Sequence, residues 1–95
     1  MVGSRRILNN RDMAQVIINE INRDPDFAVH DDYREGNARE LLVYNTSGNS
    51  MSDDDLDELY TIASSYGEVL YVERKPRDSN YALVGLGEMG FVPIY

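Results

Sequence analysis

The stretch LLVYNTSGNSMSDDDLDELYTIASSYGEVLYVERKPRDSNYALVGL, residues 41–86, decides how this chain folds. It opens with four consecutive apolar residues, Leu41 to Tyr44, so a strand here has apolar surroundings on both faces and belongs at the centre of its sheet. Thr46 to Ser50 has the composition of a loop. Ser52 then stands where an N-cap is needed, with Asp55 at the third helical position, and Asp53 and Asp54 suit the positive end of the helix dipole. Leu56, Leu59, Tyr60 and Ala63 recur at helical spacing and predict the inner face, while Gly67 suits the left-handed position past the helix end. Val69 to Val72 is a second apolar run. Pro76 to Asn80 is a polar turn into Tyr81–Leu86, and the last two strands form a hairpin. The stretch therefore reads strand, helix, strand, strand.

Outward from this stretch, the upstream chain shares the plan of the second half: helix, short turn, hairpin. Residues 1–9 carry Arg5 and Arg6 and show no period, which predicts a flexible arm. Asn9 or Asn10 can cap a helix with Asp12 in its first turn. Ala14, Ile17, Ile18 and Ile21 form its buried face, and Pro25 disfavours helical geometry at Asp24. Phe27 to Tyr33 has strand-type residues at alternate positions, and Gly36-Asn37 is a hairpin signal back to Leu41. Downstream, Gly87 to Gly90 reads as irregular, which leaves 87–95 as a docked C-terminal tail. The expectation is one domain over residues 1–95 in the order α-β-β-α-β-β. Its class is α+β: a two-layer sandwich with a four-stranded, mainly antiparallel sheet and two helices on one face.

Composition narrows the function classes. Ninety-five residues, 42% apolar and 27% charged, suit one soluble core and at most one site. The chain has no cysteine, so disulfides, thiolate metal sites and cysteine nucleophiles are excluded. No apolar run reaches membrane-spanning length and no signal-peptide segment is evident, which implies a cytoplasmic protein with no membrane partner. Seventeen acidic against nine basic residues give a net charge of −8, and this field disfavours a general grip on a phosphate backbone.

Residues 79–86, SNYALVGL, resemble the second signature of the RNA recognition motif, with Tyr81, Ala82 and Val84 matching its pattern. Leu41 to Asn45 is similar to that family's other signature, and the capped helix and Gly67-Glu68-Val69 resemble what lies between the two. The family continues into a further helix and strand, which here come first. The resemblance thus implies a circularly permuted ferredoxin-like sheet with strand order 27–33, 40–46, 80–86, 68–74. It also implies an open sheet face on which single-stranded RNA would stack, at Leu42, Tyr81 and Leu83. Only one of these is aromatic, and Ser79 and Asn80 replace the usual basic residue and glycine. Stacking contributes roughly 1–3 kcal/mol per base, so losing two platforms favours another occupant. The face formed by Leu42, Tyr44, Tyr81 and Leu83 fits a protein partner or a second copy of the chain. Arg74, Lys75 and Arg77 form a basic turn that could contact phosphate if RNA binds.

Other chemistry is thinly signalled. His30 is the sole histidine and has no nucleophile motif near it, and Asp31 and Asp32 read as a wet hairpin edge. Asp53, Asp54, Asp55, Asp57 and Glu58 serve the helix dipole and lack calcium-loop spacing. The acidic face of that helix also allows a viral inhibitor that imitates nucleic-acid charge. Gly85 to Gly90 fits the spacing of a dinucleotide fingerprint but opens no helix. The expected protein is a non-enzymatic acidic binding module, a protein-binding regulator or inhibitor, with no cofactor and no metal. Single-stranded RNA binding and nucleic-acid mimicry are the alternatives.

Overall fold

A computed structural model of the chain describes residues 5–30 and 39–93. The protein is α+β, with two helices and a curled antiparallel sheet. In chain order the elements are β1 (Arg5–Asn9), α1 (Asn10–Arg23), β2 (Phe27–Val29), β3 (Glu40–Asn45), α2 (Asp53–Ser64), β4 (Gly67–Lys75) and β5 (Asp78–Pro93).

Both helices start where their caps are. Asn9 Oδ1 accepts from the Asp12 amide at 2.8 Å, satisfying one of the free donors of the first turn of α1. Ser52 and Asp55 form a reciprocal capping box at 3.0 and 2.9 Å, which fixes the entry to α2. α1 buries Met13, Ala14, Ile17, Ile18 and Ile21, and its last turn closes through the Asp24 amide onto the Ile21 carbonyl ahead of Pro25. α2 buries only Leu59 and Ala63, with Leu56 and Ile62 packed against the core. Tyr60 is 51% exposed and is not part of the inner face. It follows Leu59 directly, which places it about 100° round the helix from the centre of the buried arc.

Long strand β5 is the spine of the sheet. Leu83 has Leu42 of β3 on one side and Glu73 of β4 on the other, and Gly90 has Leu8 of β1 and Gly67 of β4. β3 and β1 therefore lie end to end along one edge of β5, with β4 along the other. β2 pairs with β3 through Phe27↔Asn45 to Val29↔Val43, and the His30 amide extends the ladder to the Leu42 carbonyl at 2.8 Å. Three register shifts interrupt the β4–β5 pairing. One of them leaves Leu70 as an extra residue between Val69↔Leu86 and Tyr71↔Gly85, which bends and twists the ladder.

Several expectations change. Residues 5–9 form β1 rather than an arm, and residues 87–93 continue β5 rather than forming an irregular tail. The two segments supply each other's backbone hydrogen bonds through Arg5↔Pro93 to Asn9↔Met89, and Leu8 pins the pair by burying all but 3% of its surface. A strand is thus added before the expected α-β-β-α-β-β order. The turn into β5 is only Pro76-Arg77, with Arg77 at φ 71, and the strand resumes at Asp78. Gly67 is not left-handed; it opens β4, where a Cβ would strike Met13 and lie 3.0 Å from Gly90 Cα. Gly90 in turn leaves room for the Met13 side chain and the Tyr66 carbonyl. The two glycines let β4 and β5 close over α1. The expected hairpin turn at Gly36-Asn37 and the strand end at Asp31, Asp32 and Tyr33 lie outside the described residues.

The core joins Leu8, the α1 face, Phe27, Val29, Leu41, Val43, Met51, Leu59, Ala63, Ala82, Val84 and Leu86. Met51 belongs to a loop by composition yet is only 2% exposed. It occupies the position before the Ser52 cap, and Leu56 sits four residues after that cap. That is the spacing of a hydrophobic staple and the signal by which its burial is readable.

Candidate functional site

Alternation in the paired strands decides which side chains leave the core. Leu41, Val43, Ala82 and Val84 point into the apolar cluster, so their neighbours Glu40, Leu42, Tyr44, Tyr81, Leu83 and Gly85 lie on the opposite face. Direct cross-strand pairs then set Leu42 beside Leu83 and Tyr44 beside Tyr81. The four residues that the sequence groups do share one face.

That face is partly covered. Leu42 is only 6% exposed, so it underpins the patch and offers little contact area, whereas Tyr44, Tyr81 and Leu83 are half-buried. The Tyr44 and Tyr81 rings are 5.8 Å apart at 49°, and His30 approaches Tyr81 at 6.4 Å and 46°. These tilted arrangements match the edge-to-face preference of aromatic rings. Lys75 Nζ stands 5.8 Å from the centre of the Tyr81 ring while pairing with Asp78 at 3.3 Å. His30 Nδ1 is buried and has no hydrogen-bond partner among the described residues.

Tyr71 of β4 completes the face. Its ring crosses β5 at Gly85, where any Cβ would collide with it, and its hydroxyl donates to the Glu40 carboxylate on β3. A glycine in the middle of a strand is costly by itself, and here it makes room for an aromatic ring that ties three strands together. The sequence reading missed Tyr71, although its odd position beside an in-strand glycine was the available signal.

The basic turn does not act as one cluster. Arg74 pairs opposite Ala82 and so faces the core side, where Nε donates to the Met51 carbonyl at 2.6 Å and a terminal nitrogen pairs with Asp53 at the start of α2. Lys75 faces the other way, and Arg77 is exposed at the turn. Arg74 is therefore committed to holding α2 against β4. Its neighbours have opposite facing because consecutive strand residues alternate.

Among the carboxylates, Glu58 titrates above its ordinary range. A side-chain hydrogen bond with Asp24 favours its protonated form, and burial and the charges of Asp24, Asp26 and Asp55 add to this. No group of three or more metal-ligating side chains converges among the described residues. Asp31 and Asp32 lie outside them. Gly85 to Gly90 is strand throughout, so the fingerprint spacing has no helix to serve. A shallow depression at the curled end is lined by Glu68, Glu88 and Met89. No helix among the described residues is long and apolar enough to cross a membrane. Comparison of the chain with protein-family models, with curated proteins and with solved structures gives no match.

Proposed function

We propose that this chain is a non-enzymatic binding module, a regulator or inhibitor that docks a protein partner on the sheet face around Tyr44, Tyr81 and Leu83. The reading includes a permuted ferredoxin-like arrangement, similar to the RNA recognition motif, in which both helices cover one side of the sheet and leave the other for docking. One observation carries it: two half-exposed tyrosines, packed at 5.8 Å beside the Leu42–Leu83 pair, form an aromatic patch on the face that the core does not use. Tyrosine is enriched at the energetic centres of interfaces because it buries much area with few rotatable bonds. Leu42 contributes as the floor of the patch.

A pull-down from the native host with the unsubstituted chain and with a Tyr44→Ser, Tyr81→Ser variant tests this reading. At least one protein retained by the former and lost by the latter is expected, since truncating an interface anchor typically costs about 2 kcal/mol or more. An identical set of retained proteins overturns it.

A second reading, single-stranded RNA on the same face, is supported by Lys75 beside the Tyr81 ring. Titration with a random oligonucleotide pool at low salt separates the two. Binding there that falls with salt and is lost with Tyr81→Ser favours RNA, and a null result leaves the protein partner.

A further inference from the structure

The geometry points to a second interaction surface, separate from the tyrosine patch: the outer edge of β1, which accepts the same strand of a second copy of this chain. β1 pairs with β5 on one side, and among the described residues no strand pairs with its other side. An unpaired edge presents a row of backbone donors and acceptors, and proteins normally blunt such edges with bulges, prolines or charges. β4 is blunted in this way: its ladder is broken three times, and it carries Glu68, Glu73, Arg74 and Lys75. β2 is only three residues long. β1 has neither bulge nor proline, and its only charges are those of Arg5 and Arg6 at one end. Its register with β5 is unbroken over five residues, it contains no proline, and it is held rigidly because Leu8 is in the core and Asn9 caps α1.

The exposed apolar side chains lie at the same place. Ile7 is 64% exposed and Met89 60%, and the register places both on the side of the sheet opposite Leu8. A strand laid along β1 extends this surface and covers part of it.

Charge and register select the occupant. In an antiparallel pair of β1 strands centred on Ile7, Ile7 meets Ile7, Arg6 faces Leu8 and Arg5 faces Asn9. No like charges are opposed. β1 also carries no carboxylate, although the whole chain has a net charge of −8. At physiological ionic strength charges are screened beyond about 8 Å, so two such chains meet with the least repulsion along a strand that bears only arginines. The resulting dimer continues the sheet as β5-β1-β1-β5 about a two-fold axis. A five-residue pairing lies at the small end of specific interfaces, below about 1,200 Å², so association is weak and appears only at high concentration.

The test is sedimentation of the full chain between about 10 µM and 1 mM in 0.15 M salt, a range suited to a weak interface, together with amide hydrogen exchange at both ends of that range. The expected result is a mass rising towards the dimer, with slower exchange confined to residues 6–9. Ile7→Lys should remain monomeric with unchanged circular dichroism, and Tyr44→Ser should still dimerise. A strict monomer throughout overturns the proposal. So does a dimer that survives Ile7→Lys, or one that Tyr44→Ser abolishes, because the latter places self-association on the tyrosine patch. The exchange measurement needs no substitution, so the test remains decisive if Ile7→Lys misfolds.

Discussion

The two halves of β5 have different surroundings. From Tyr81 to Leu86 the strand is flanked on both edges by β3 and β4, its inner side chains are wholly buried, and its outer ones pack against other rings. From Gly87 to Pro93 it is flanked by β1, with Gly67 touching only at Gly90, and Met89 stands largely in solvent. The first half is a floor for the tyrosine patch. The second is a margin that ends in an open edge. Neighbouring strands, not composition, make the difference, since both halves are rich in apolar residues and glycine.

The largest expected effect comes from shortening one side chain in each half. Leu86→Ala removes a fully buried side chain and should cost about 3 kcal/mol in urea unfolding, while Met89→Ala should stay within about 0.5 kcal/mol. Equal losses would break the comparison. Next is Gly90→Ala, whose methyl group meets Met13 and the Tyr66 carbonyl and should cost about 2 kcal/mol. Gly85→Ala should cost less, about 1 kcal/mol, because Tyr71 is at the surface and can swing away. Its signature is a change in tyrosine fluorescence as the Tyr71 hydroxyl leaves Glu40.

The smallest effect separates both halves from the helices. Glu58 titrates high in the folded chain, so its contribution to stability is fully present below the ordinary carboxylate pKa and is lost as pH rises through the shifted value. Glu58→Gln should therefore stabilise the protein near pH 7 by a few tenths of a kcal/mol, as befits an exposed group. The gain should vanish on acidification. A gain that persists in acid would show that the charge cluster with Asp24, Asp26 and Asp55 is not the cause.

Local signals placed much of this molecule. Asn9 and Ser52 each satisfy donors within their own first turn, so both helix starts are written in three or four adjacent residues. The run Leu41–Tyr44 announced a strand with neighbours on both sides, and β3 lies between β2 and β5. The alternation that put Leu42, Tyr44, Tyr81 and Leu83 on one face follows from the period of a strand once the register is known. Tyr60 misled because propensity and spacing do not say which side of a short amphipathic helix faces the core when several arcs are partly apolar.

Other features depended on partners far along the chain. Arg5–Asn9 has no period of its own and is a strand because residues 89–93 supply its hydrogen bonds. Gly67 and Gly90 read as turn or loop residues and Gly85 as an ordinary strand position, yet each is there for a neighbour's bulk: Met13 for the first two and Tyr71 for Gly85. Arg74 and Lys75 are adjacent in sequence and opposed in space, one locking α2 and the other facing the tyrosines. Sequence alone determined the helices, their caps and the two-sided central strand, because those rest on contacts within about one turn or one strand. Tertiary structure decided the extra strand, the long spine and the covering of Leu42, because backbone pairing and close packing between distant segments have no local signature.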